Sequence, residues 1–252
     1  MRIIARLDVK NSNLIKSRNL EGLRVVGDPN IFASKYYSEG ADELIFMDLV
    51  ASLYNRNSLY EIIKAASQNI FIPFTVGGGI RSIDDALKIF DSGADKIAIN
   101  TAAVKDPNLI SILSKRFGSQ AIVLSIEAKK IAENKWENYI ECGRQDTGID
   151  VIEWAKKNAD LGAGEILLTS IDQEGTSKGF DYDLIKSVTS SVDIPILASG
   201  GFGSLNDIEK ISNLDIQGIV IADAIHFNKI NLSSIRKKAK NSGFKVRNFL
   251  ND

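Results

Sequence analysis

One cysteine, Cys142, and one histidine, His226, are all that 252 residues contain of either type. A disulfide framework needs cysteine pairs, and a Cys/His metal cluster needs several such ligands, so both are excluded. No metal and no cofactor is expected. The lack of cysteine pairs suits a reducing cytoplasm, the expected location. An excess of charge of one sign is missing too: 31 Lys+Arg face 32 Asp+Glu, a formal net charge of −1. That balance argues against a nucleic-acid partner held by a broad basic surface, but not against a local anion site. No apolar run approaches the roughly 20 residues of a membrane span. Arg2, Arg6 and Asp8 interrupt any secretory apolar core at the N-terminus, so no membrane partner is expected. With so little His and Cys, acid–base chemistry falls to Asp, Glu and Lys.

What is present is a regular alternation. Short apolar runs cover residues 3–9, 43–49, 71–76, 96–100, 121–126, 165–170, 195–198 and 218–222. Each is too short for a buried helix and reads as a strand. Helical patterns lie between them, at 84–90, 108–117 and 150–161 for example. Alternating strands and helices imply a parallel sheet.

The chain also resembles itself. Gly40-Ala41-Asp42-Glu43 matches Gly162-Ala163-Gly164-Glu165, 122 positions later. Ile72-Pro73 and Ile194-Pro195, Gly78-Gly79 and Gly200-Gly201, Ser82 and Ser204, and Asp85 and Asp207 keep the same spacing. Asp8 and Glu127 end the first and fifth strands, 119 apart. A period this long is not a solenoid repeat. It predicts two homologous (βα)4 half-barrels, about 1–120 and 121–252, closed into one α/β domain, a (βα)8 TIM barrel over 1–252. No linker divides the chain. The longest irregular pieces, 11–28 and 128–148, both follow strands and so fall on the catalytic face. The second has a composition that suits a small hairpin around Trp136, Tyr139 and Ile140.

In such a barrel the chemistry sits where strands end. Asp8 and Glu127 face one mouth, where split pKa values give separate acid and base roles. The alternative is a pair of structural ion pairs with nearby lysines. Gly77-Gly78-Gly79 and Gly200-Gly201 each precede a helix starting near Ser82 or Ser204. Such turns either cradle an anion on backbone N–H groups or simply need positive φ. Two of them suggest a ligand with two anionic ends. Asn100 and Thr101 offer side-chain donors to the first. Asp223, the counterpart of Thr101, puts a carboxylate where the second should be. Asp48, Thr169, Ser170 and Asp172 are further polar groups at strand ends. Arg2, Glu43, Lys96 and Glu165 open strands and could form a ring at the bottom of the barrel, by itself a structural salt-bridge layer. His226 and Cys142 read as packing or surface residues.

In this order the motifs resemble those of the cyclase-subunit family of imidazole glycerol phosphate synthase, HisF. The resemblance is carried by residues 7–10, 27–29, 40–44, 74–81, 93–96, 99–104, 117–120, 162–170 and 198–201. It implies a barrel that takes ammonia from a HisH-type glutaminase at its bottom face and passes it to the top. There ammonia attacks a small bisphosphorylated substrate, a ribulosyl aminoimidazole carboxamide. The products are imidazole glycerol phosphate and an aminoimidazole carboxamide ribotide. Carried over by position, the catalytic pair falls on Asp8 and Glu127 and the helper lysine on Lys16. One phosphate end falls on Gly79, Asn100 and Thr101, the other on Gly175, Gly201, Ala222 and Asp223, beside Glu174. The ammonia gate falls on Arg2, Glu43, Lys96 and Glu165, which reverses the structural reading of that ring.

The sequence departs from the family pattern in places. Position 127 is Glu rather than Asp, and an extra methylene moves a carboxylate by over ~1 Å, worth roughly 10²-fold in rate. Glu174 replaces an Asp, Gln173 an Arg, and Asp223 a serine. The loop around Lys16 lacks the usual glycines. An alternative is therefore an ammonia-channelling relative that serves amidation of a surface-glycan sugar and is not itself catalytic.

Overall fold

In the computed structural model, residues 1–51 and 59–249 are described. The strands are β1 (Arg2–Lys10), β2 (Asn13–Arg18), β3 (Glu21–Gly27), β4 (Glu43–Asp48), β5 (Phe74–Gly77) and β6 (Lys96–Ile99). They continue with β7 (Ile122–Ala132), β8 (Lys135–Tyr139), β9 (Glu165–Ser170), β10 (Ile196–Ser199) and β11 (Gly218–Ile221). Eight of them pair in parallel in the circuit β1-β4-β5-β6-β7-β9-β10-β11. The circuit closes where β11 returns to β1, with Arg2 opposite Gly218. This is a closed (βα)8 barrel. No helix among the described residues is long and apolar enough to cross a membrane.

Strand alternation separates two cores. Ile3, Ala5, Leu7 and Val9 face outward into the layer under the helices. The alternate positions of β1 are Arg2, Ile4, Arg6 and Asp8, and Ile4 packs in the barrel interior with Ile45, Ala98, Val123, Leu167 and Leu197. Each fully buried Ile or Leu contributes about 1.5–3 kcal/mol, so these two layers carry the stability. Inside the barrel, going up, a charged ring gives way to an apolar layer. Above that lies a polar layer of Arg6, Ser125, Thr169 and Ser199, all buried.

The 122-residue spacing recurs as hydrogen bonds. Asp28 caps the helix Pro29–Ser38, and Asp150 caps Val151–Asp160, each through one carboxylate oxygen that accepts two backbone N–H groups. Phe74 N–H donates to Asp95 and Ile196 N–H to Gln217, both at 2.8 Å. Arg81 N–H donates to Asp85 and Gly203 N–H to Asp207, both at 3.0 Å. A Cβ on Gly78 would strike the carbonyl oxygen of Asp48, and one on Gly200 would sit 2.7 Å from that of Ser170. Both glycines have positive φ, so the strand-to-helix turn requires them twice.

Two expectations need correction. Residues 11–28 are not irregular: β1 turns at Asn11 into β2, which pairs back on it antiparallel and then with β3. Leu14, Ile15, Lys16 and Ser17 are buried in a row, so the polar–apolar alternation that marks a strand is absent. The third barrel strand starts at Phe74 rather than 71. Phe71 is 78% exposed, and Pro73 has no N–H to give. The helix expected near Ser204 is present, starting at Asn206, and the Asp207 carboxylate takes the Gly203 and Ser204 N–H groups before it. The hairpin expected within 128–148 is β7 with β8, and Trp136 is buried under it.

Candidate active site

β7 lies four strands from β1 in either direction around the circuit, so Asp8 and Glu127 stand on opposite strands, each near the end of its parallel pairing. Both are buried. Among the described residues Asp8 pairs with Arg6 and with no lysine. Its Oδ1 takes the Nε–H of Arg6 at 2.7 Å, while its Oδ2 is buried with no partner among the described residues. Glu127 Oε2 accepts from Gly143 N–H at 2.8 Å. Burial raises the Glu127 pKa to about 7 against the lowering pull of Arg6 and the Gly143 N–H. For Arg6, burial opposes the charge, but Asp8, Glu174 and Glu127 outweigh it and hold the guanidinium above its ordinary pKa.

Two pockets flank this pair. The larger, about 90 Å³, is lined by Asp48, Gly79, Asn100, Thr101, Ser125 and Glu127 among others. Asn100 Nδ2 donates to Tyr139 O at 2.8 Å, and Thr101 Oγ1 accepts from Glu141 N–H at 3.1 Å, so the loop after β8 covers this end. The smaller pocket is about 20 Å³ and is lined by Arg6, Lys16, Glu174, Gly175, Gly201, Ala222 and Asp223. That volume holds about one water. Lys16, carried on β2, forms an ion pair with Glu174, and both are buried. Asp223 begins a short helix, accepts from Ser177 Oγ at 3.2 Å and pairs with Lys229.

At the bottom face Arg2, Glu43, Lys96 and Glu165 close a four-membered ring. Arg2 reaches Glu43 at 2.6 Å and also pairs with Glu165. Lys96 reaches both carboxylates at 2.8 Å. Thr75 Oγ1 donates to Glu43 at 2.6 Å. Burial opposes the Arg2 charge, but Glu165 and Glu43 raise its pKa overall. The structure therefore brings all four together, and the apolar layer lies between this ring and the carboxylate pair.

Sequence reasoning missed Arg6, Gly143 and Asn138. Asn138 Nδ2 donates to Asn100 Oδ1 at 3.3 Å, and its Oδ1 accepts from Glu127 N–H at 3.3 Å. Only a rule that inward β1 positions alternate with Asp8 would have pointed to Arg6. His226 is buried, its Nδ1 is 2.6 Å from Tyr36 Oη, and burial lowers its pKa to about 4. The Cys142 thiol donates to Leu49 O at 2.8 Å, and burial pushes its pKa up.

Fold and site together define a (βα)8-barrel protein with paired carboxylates at one mouth and a charged ring at the other. Residues 2–231 match the family described as "Histidine biosynthesis protein", and the chain belongs to that family. It is 61% identical over 207 residues to the imidazole glycerol phosphate synthase subunit HisF of Legionella pneumophila, covering 82% of this chain and 98% of that protein. It is 43% identical over 247 residues to the HisF subunit of Streptococcus mutans, covering 98% of each. With the HisF subunit of Endomicrobium trichonymphae it shares 41% over 247 residues, 98% of this chain and 95% of that one.

Proposed function

We propose that this chain is the ammonia-dependent cyclase subunit of imidazole glycerol phosphate synthase, acting in histidine biosynthesis in the cytoplasm. It would convert the bisphosphorylated ribulosyl aminoimidazole carboxamide to imidazole glycerol phosphate and the aminoimidazole carboxamide ribotide. The relatives named as HisF subunits support this reading. We read the chain as one barrel domain of two related halves, about 1–120 and 121–252. The single observation that carries the proposal is axial: two inward carboxylates stand above an apolar interior that begins at a ring of two cations and two anions.

In this mechanism a HisH-type glutaminase docks on the bottom face and releases ammonia at Arg2, Glu43, Lys96 and Glu165. A neutral ammonia molecule crosses the apolar layer more readily than ammonium, because burying an unpaired charge is costly. At the top it adds to the ribulosyl carbonyl. Asp8 acts as the base through its unpartnered Oδ2, and Glu127, near neutral pKa, donates the proton that water loss from the adduct requires. Proton exchange between the same two groups then serves loss of the ribotide and ring closure. Lys16 steadies the substrate once it leaves Glu174. Gly79, Asn100 and Thr101 hold one phosphate, and Gly175, Gly201, Ala222 and Asp223, next to Glu174, frame the other.

The test is ammonium-driven turnover by the purified chain, without a partner. Imidazole glycerol phosphate and the ribotide are expected in equal amounts. Neither turnover nor tight binding of the bisphosphorylated substrate would refute the proposal.

A further inference from the structure

We propose that Arg6 is a ligand-binding residue of the smaller pocket, where its guanidinium supplies the cation for the far anionic end of the substrate. The proposal deepens the cyclase reading, since it concerns a ligand with two phosphates.

Arg6 is 2% exposed and lines the pocket together with Lys16, Glu174, Gly201 and Asp223. A guanidinium has five N–H donors in a fixed fork. Nε–H is used by Asp8 at 2.7 Å and Nη1 by Thr169 Oγ1 at 3.2 Å. No other described residue takes the remaining donors. A buried cation with open donors is costly unless an acceptor completes it, and a phosphate oxygen is the acceptor this geometry suits.

Charge balance points the same way. Glu174 is paired with Lys16, and Asp223 with Lys229. Of the charged groups that line the pocket, Glu174 and Asp223 are anionic and Lys16 and Arg6 cationic; without Arg6, two carboxylates would face one lysine, and the pocket would repel an anion. Arg6 removes that excess.

The repeat supplies an independent comparison. Arg6 stands two residues before Asp8, as Ser125 stands two before Glu127, and each lines the pocket built mainly by the other half. Thr101 and Asp223 are likewise counterparts, each opening a short helix after nearly the same backbone turn. The first pocket therefore combines a hydroxyl with a hydroxyl, and the second a guanidinium with a carboxylate. Both differences fall in one pocket and offset each other in charge. The resting pocket admits about one water, so a phosphate enters as Lys16 and Glu174 part.

The experiment titrates the full chain with inorganic phosphate. The Gly79 and Gly201 amides are followed by NMR, so that the two ends report separately. Two binding events are expected for the wild type. R6Q should weaken the Gly201 event about 10- to 100-fold and leave the Gly79 event in place. R6K should fall between them, because an ammonium keeps the charge and loses the fork. If R6Q does not fold, the double variant R6S/D223T copies the Ser125–Thr101 arrangement of the larger pocket and should fold, with a Gly201 event of its own. An unchanged Gly201 event in R6Q or, failing that, in R6K overturns the proposal. So does a wild type that binds phosphate only at Gly79. No turnover is needed, so failure of the cyclase reading would show separately.

Discussion

Asp8→Asn is expected to lower ammonium-driven turnover by about 10²- to 10⁴-fold, the usual contribution of a general acid or base. Asn still accepts from Arg6 at the Oδ1 position but no longer neutralises the buried guanidinium, so the variant should also lose stability and its rate is compared per folded protein. Glu127→Gln should lose a comparable factor in rate and at the same time gain stability above neutral pH. The sign follows from burial. The Glu127 pKa rises from 4.5 to about 7 in the folded chain, so between these values the folded state holds a proton that the unfolded state has lost. Stability from this group is present below about pH 4.5, falls as pH rises towards 7, and stays low above it. At pH 8 the ionised carboxylate costs up to roughly 3 kcal/mol, which an amide does not. Thermal unfolding at pH 8 should therefore show Glu127→Gln above the wild type, and the two should converge near pH 5. An unaltered rate in either variant would remove that residue from the mechanism. A lower melting temperature at pH 8 would show that Glu127 is not held in a desolvated site.

Glu43→Gln is expected to destabilise the chain by about 3–5 kcal/mol, the cost of removing one partner from a buried ion pair. Glu43 has no exposed surface and takes Arg2, Lys96 and Thr75 together, so its loss leaves two cations sharing Glu165. The comparison is Glu153→Gln, in an exposed pair with Lys156, which should change stability by less than about 1 kcal/mol. Urea unfolding of the three proteins checks this. Equal stabilities would mean that the ring is solvated and is not a closed gate at the barrel floor.

Much of the site was legible because the repeat marks positions rather than residues. A strand end at Asp8 and another at Glu127 fix a mouth, whichever acid stands there, and four charged strand starts fix a floor. The glycines at 78 and 200 were legible for a similar reason: each turn passes so close to the strand before it that a Cβ would collide. The hairpin β2–β3 was not legible. Its buried stretch includes Lys16 and Ser17, whose burial depends on Glu174 and the loop after β9, far along the chain. Arg6 was hidden for the opposite reason. Three residues of alternating type around Asp8 look like an ordinary strand, and only the closed barrel shows that Arg6 points to the axis. The partners of Asp223 were also beyond a linear reading, because Ser177 comes from a loop of a different βα unit.

The most direct measurement follows the nitrogen. The chain, joined to a HisH-type glutaminase, is given amide-¹⁵N glutamine and the bisphosphorylated substrate in an excess of unlabelled ammonium, and the imidazole product is weighed by mass spectrometry. If ammonia passes from the charged ring through the apolar layer to Asp8 and Glu127, the product carries ¹⁵N almost undiluted. Product diluted to the isotope ratio of the bulk solution would contradict passage through the barrel.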